Sequence, residues 1–162
     1  MPNWTQNYVT FKGSKEKIIE LKELFASEEK VFDFNKILPM PEDSEDFQAT
    51  GSFTMDTNQG DLSAEEFIDK KVETANNWYY WSIKNWGTKW NAIEPTLDVD
   101  NECELKYSFR TAWDAPRGVI QEIYDNRDKI IKGLTYGKWT CFHEFEEDED
   151  IILEFKLKDE YQ

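Results

Sequence analysis

The 162-residue chain holds 34 acids against 19 bases, a formal charge of -15, and is 39% hydrophobic and 15% aromatic. That length supports one core without disulfides or metals, and the rings supply the material for it. The charge argues against direct binding to phosphate backbones, and no apolar run approaches the length of a membrane span.

The predicted elements begin with alternation of Tyr8, Thr10 and Lys12 against Val9 and Phe11, a first strand ending at Gly13. Ser14 is placed to cap a helix whose apolar face is Ile18, Leu21, Leu24 and Phe25, ending near Ser27. Residues 31–38 begin as an extended segment that Pro39 and Pro41 stop. From Glu42 to about Asp61 the chain reads as an acidic surface excursion carrying a short strand at Gly51–Met55.

A capping box of Ser63 and Glu66, with Leu62 and Phe67 as a hydrophobic staple, marks the next helix start. Phe67, Ile68, Val72, Ala75 and Tyr79 give its inward face, and it runs to Trp86 with Gly87 as the stop. Beyond Gly87 a core strand is expected, with Thr88, Trp90 and Ala92 on one side. Pro95 to Asn101 reads as a polar turn, and Leu105, Tyr107 and Phe109 alternate as a half-buried strand.

Asp114 is the expected cap of a third helix with Pro116 in its first turn. Val119, Ile120, Ile123 and Tyr124 would face inward, and Gly133 would end it. The C-terminal part reads as a β-hairpin. Trp139, Cys141, His143 and Phe145 share one face of the first strand, Ile151, Leu153, Phe155 and Leu157 share one face of the second, and 146–150 connects the two. Together these elements describe a single α+β domain over 1–162, with a mostly antiparallel sheet and helices on one face, most simply a ferredoxin-like arrangement.

The acids are clustered: ten lie between Glu42 and Glu73, against two lysines, and six between Glu144 and Asp150 with no base. Glu42, Asp43, Glu45, Asp46, Glu147, Asp148, Glu149 and Asp150 are therefore the candidate partner-binding residues, suited to a protein with a basic nucleic-acid-binding surface. Trp86, Lys89, Trp90, Arg110 and Asn35 are candidates for a small-ligand pocket, with Lys89 over tryptophan faces. For the tryptophans, packing in the core is the stronger expectation. Lys36 and Asp114 could join that set, although Asp114 also serves as a helix cap.

Cys103, Cys141 and the lone His143 have no recognisable zinc spacing, so neither metal nor cofactor is expected. His143 and Cys141 alone do not make a catalytic set, and no phosphate loop or nucleophile elbow occurs. No signal peptide is recognised, which points to the cytoplasm and reduced thiols.

Three stretches, Asp33-Phe34-Asn35-Lys36-Ile37-Leu38-Pro39-Met40-Pro41, Asn85-Trp86-Gly87-Thr88-Lys89-Trp90-Asn91 and Phe109-Arg110-Thr111-Ala112-Trp113-Asp114-Ala115-Pro116, resemble the YubB-like proteins of bacteriophages and plasmids, which carry a ferredoxin-like domain. Pro2-Asn3-Trp4 and Asn7 are similar to that family's start, although Thr5 stands where a cysteine is common. The likeness runs to about Pro116, and the acidic turn after Glu144 is not part of it. It implies a phage or mobile-element protein inside a bacterial cell and implies no reaction. The resulting expectation is a non-enzymatic acidic protein that engages a host protein, such as an inhibitor of a nucleic-acid-handling or defence enzyme. The alternatives are a small-ligand or nucleotide-binding domain around Trp-Gly-Thr-Lys-Trp and a virion or assembly component.

Overall fold

A computed structural model describes residues 3–41, 78–144 and 146–156. The acidic excursion with Glu42, Asp43, Glu45 and Asp46, the strand at 51–55, the capping box and staple, most of the apolar face of the second predicted helix, Phe145 and Leu157 lie outside them. Within the described residues the order is β1 (Trp4–Gly13), α1 (Lys15–Phe25), α2 (Phe34–Ile37), α3 (Trp78–Asn85), β2 (Ile93–Asp100), β3 (Glu104–Ala112), α4 (Arg117–Asp125), α5 (Arg127–Ile130), β4 (Leu134–His143) and β5 (Asp150–Lys156). The five strands form one antiparallel sheet in the order β2-β3-β1-β4-β5.

Period-two alternation decides which face is covered. Thr5, Asn7, Val9 and Phe11 of β1 and Leu105, Tyr107, Phe109 and Thr111 of β3 are buried, along with Trp139 and Cys141 of β4. Against the apolar members of this face pack Ile18, Leu21 and Phe25 of α1 and Val119, Ile120 and Ile123 of α4. The opposite face is half-exposed and polar in character, with Gln6, Thr10, Lys106, Ser108 and Lys138, while Tyr8 rests edge-on against Phe142 at 5.9 Å. No helix among the described residues is long and apolar enough to cross a membrane.

Ser14 caps α1 as expected, accepting from Lys17 N at 3.3 Å. Lys17 itself is buried, its ammonium donating to Lys129 O at 2.7 Å. Elsewhere the local expectations need correction. Residues 31–38 are not extended: Asp33 caps the short turn α2, its carboxylate accepting from Asn35 N at 2.9 Å. Short capping side chains favour this turn over a strand.

The predicted core strand after Gly87 is a series of bends, and the predicted polar turn at 95–101 is largely strand β2. Ile93, Pro95, Leu97 and Val99 alternate with exposed residues, and Pro95 is tolerated because β2 is an edge strand with register shifts. Asp114 is not the cap of α4, since Pro116 occupies that position without a side-chain cap, and Tyr124 is 49% exposed rather than inward-facing. That helix also breaks at Asn126, ahead of Gly133. In the hairpin a register shift at Trp139/Thr140 turns Ile151 outward, while Leu153 and Phe155 stay against the core.

The three motif stretches that carry the family resemblance meet in space. Asn91 Oδ1 accepts from Phe34 N and its amide donates to Asp33, both within 2.9 Å. Trp86 Nε1 donates to Leu38 O at 2.8 Å, and Thr88 Oγ1 to Ala112 O at 2.7 Å. Asp33 is partly buried, which by itself raises a carboxyl pKa. Hydrogen bonds from Asn91, Ser27 and Asn35 N, with Lys30 nearby, outweigh that and hold it below the usual value.

A carboxylate with a depressed folded-state pKa stabilises the fold above its unfolded pKa of about 3.9, and the contribution is lost as pH falls through the lower, folded value. Denaturant titrations of the wild type and Asp33→Asn are therefore expected to differ at pH 6, with the gap starting to narrow near about pH 4 and closing only below the lower, folded value. A pH-independent gap would assign the effect to geometry alone.

Candidate functional site

One end of the sheet gathers most of the chemistry. The helix α3 stops where Gly87 adopts φ +85°, with Gly87 N donating to Ser82 O at 3.1 Å. Ser82 Oγ then donates to Lys89 O at 2.7 Å, so the bends after Gly87 are tied back onto the helix. This places Lys89 Nζ 4.4 Å from the Trp90 ring centroid, 5.5 Å from Tyr79 and 5.7 Å from Trp113. Trp90 lies 6.1 Å from Trp4, and the Arg110 guanidinium lies 5.0 Å over Trp4. Lys89, Trp90, Trp4 and Arg110 thus form a continuous ladder of cation, ring, ring and cation.

Of the five residues expected in a ligand pocket, the structure brings Lys89, Trp90 and Arg110 together, with Trp4 between them. Trp86 is elsewhere: it is 3% exposed, 5.7 Å from Phe34 and 5.3 Å from Trp81. Asn35 holds the turn after α2 by accepting from Met40 N at 3.0 Å. The two cations are already engaged, Lys89 by three rings and Arg110 by Glu94 at 2.8 Å, which leaves neither dedicated to an anionic ligand. Lys36 is exposed on α2, apart from the ladder.

The residue that sequence reasoning passed over here is Trp113. It is 45% exposed at φ +73°, at the centre of a three-residue turn closed by Asp114 N donating to Ala112 O at 2.9 Å. A bulky side chain is rarely found in this backbone region, and such a turn is a strained one. Trp113 N donates to Asn3 O at 2.8 Å, and Glu144, just past the end of β4, brackets Trp4: its backbone N donates to Trp4 O, and its carboxylate accepts from Trp4 N. Glu146, Glu147, Asp148, Glu149 and Asp150 follow directly and are all exposed. An aromatic patch therefore borders an acidic turn.

Beside it His143 packs against Asp114, Nε2 to Oδ1 at 2.9 Å. Asp114 also accepts from Ala115 N and from Arg117 at 2.8 Å. Burial works to raise its pKa, and those three partners outweigh it and hold the carboxyl below the usual range. Cys141, fully buried, has its thiol pKa pushed up to about 11 by burial and then by the nearby carboxylates, so it is protonated at neutral pH and is no ready nucleophile. Ligand atoms of Cys141, His143 and Asp150 lie within 4.8 Å of one another. Spacing rules built on paired cysteines do not flag this mixed set, because its third member arrives across the β4–β5 pairing. Comparison of the chain with protein families, curated proteins and solved structures finds no match.

Proposed function

We propose that this chain is a non-enzymatic binding protein of a phage or mobile element that engages a host protein through the aromatic and acidic end of its sheet. A ferredoxin-like domain is the scaffold of this reading. Its support is the strand order β4-β1-β3-β2 with α1 following β1 and α4 following β3, to which β5 adds a hairpin strand. The YubB-like assignment belongs to the same reading and rests on the resemblance of the three motif stretches.

The observation that carries the reading is Trp113. A half-exposed tryptophan held at positive φ costs about 1–2 kcal/mol of backbone strain, and exposed rings of this size are the usual energetic centres of protein interfaces. Beside it the acidic turn offers Glu147, Asp148, Glu149 and Asp150 to a basic surface, the kind a nucleic-acid-handling or defence enzyme presents. Direct contact with nucleic acid is disfavoured by the same charge.

Trp113→Gly tests this cleanly, because glycine accepts the backbone conformation. The variant is expected to stay folded, relief of about 1–2 kcal/mol of backbone strain offsetting part of the packing lost with the ring, yet to lose capture of its protein partner from bacterial lysate. A Glu147→Lys, Asp148→Lys, Glu149→Lys variant is expected to bind more weakly and to lose the salt dependence of binding. Partner binding unchanged in both variants would overturn the proposal.

A further inference from the structure

Cys141 and His143 are two residues apart on β4 and share its inner side, and Asp150 is the β5 residue paired with Cys141. His143 Nδ1 is buried without a hydrogen-bond partner. What surrounds it is a thiol and two carboxylates: Asp150 Oδ2 at 3.4 Å and Glu146 Oε2 at 3.8 Å. The other nitrogen, Nε2, is bonded to the Asp114 carboxylate, which can only accept when ionised and is held in place by Arg117 and Ala115 N. This arrangement puts a proton on Nε2, and in the neutral imidazole the Nδ1 lone pair is then aimed at other electron-rich atoms.

From this geometry we propose a divalent transition-metal site, suited to Zn²⁺, in which Cys141 Sγ, His143 Nδ1 and an Asp150 oxygen are ligands and Glu146 supplies a fourth. A cation resolves an otherwise orphaned lone pair. In a tetrahedral zinc site nitrogen and oxygen ligands sit about 3.3 Å apart, close to the 3.4 and 3.8 Å seen here, and nitrogen and sulfur about 3.6 Å, which the Cys141 sulfur, within 4.8 Å, reaches by a side-chain adjustment. A thiol with an imidazole selects a borderline metal over Ca²⁺ or Mg²⁺. Asp114 plays the part of the carboxylate that orients a metal-bound histidine and fixes its tautomer. On binding, the Cys141 thiol gives up its proton to solvent as the sulfur–metal bond forms, releasing about one proton per metal. The bound ion would clamp the end of β4 to the start of β5.

The test uses the full chain after chelation, titrated with Co²⁺ as a spectroscopic probe and then with Zn²⁺. A one-to-one complex with a sulfur-to-cobalt charge-transfer band and tetrahedral absorption, displaced by Zn²⁺, is the expected result. Cys141→Ser should lose the charge-transfer band and Cys103→Ser should keep it. His143→Gln, which replaces a partly exposed residue, should lose tetrahedral binding even if Cys141→Ser does not fold. Asp114→Asn should weaken Zn²⁺ binding about 10–100-fold. Absence of a thiolate–cobalt band in folded protein, or its persistence in Cys141→Ser, would overturn the assignment. None of these measurements involves the protein partner, so they stand or fall apart from the binding proposal.

Discussion

Phe32→Ala is expected to cost about 3–5 kcal/mol of unfolding free energy, the largest effect of any single truncation considered. The residue belongs to no helix or strand, yet it is fully buried at the point where the segment after α1 crosses the sheet. Its ring centroid lies 4.9 Å from Phe25, 5.0 Å from Phe109, 5.1 Å from Tyr107, 5.8 Å from Trp139 and 6.2 Å from Phe34. Removing it strips one partner from five rings drawn from α1, α2, β3 and β4. Those rings are held by their own neighbours, Phe25 by Phe11 and Phe109 by Phe34 and Trp139, so collapse into the space is resisted. Urea denaturation should show a lower midpoint with an unchanged slope. A loss below about 1 kcal/mol would mean that the surrounding rings close the gap freely.

Gly118→Ala is the second large effect, and its sign is the informative part. In an exposed helix this change normally stabilises by about 0.5–1 kcal/mol. Here an added Cβ would stand 1.6 Å from Asn85 O and 2.6 Å from Asn85 C, both backbone atoms. Gly118 N also donates to Trp86 O at 2.9 Å, so the first turn of α4 rests directly on the end of α3. Relief requires the two helices to move apart, with an expected cost of about 3 kcal/mol or more. Because Lys89 and Trp90 follow that contact, near-ultraviolet circular dichroism of the tryptophans should change as well. Stability equal to or above wild type would contradict the close approach.

Those two positions show where sequence and structure part company. The alternation in β1 and β3, the Ser14 cap and the apolar face of α1 are local properties, and each was legible. β2 is equally periodic from Ile93 to Asp100, and Pro95, which locally reads as a break, is tolerated there because an edge position spares a proline the hydrogen bond it cannot make. Ile151 was placed on the inner face by counting, and a single register shift reversed it. Trp113 was the hardest to foresee, since the strain that distinguishes it is a property of φ and not of composition. Likewise His143 gains its meaning from Asp114 and Asp150, which lie 29 and 7 positions away in the chain and approach only in the folded sheet.

The side chains of Trp86, Thr88 and Asn91 reach main-chain atoms of Leu38, Ala112 and Phe34, and Asn91 also bonds the Asp33 carboxylate, so each segment is a template for the next. In a library screened only for correctly folded molecules, Asp33, Trp86, Thr88 and Asn91 will resist replacement from the first round. Trp113 and the carboxylates of residues 147–149 will drift in that same screen, and will become fixed only when capture of another molecule is also demanded.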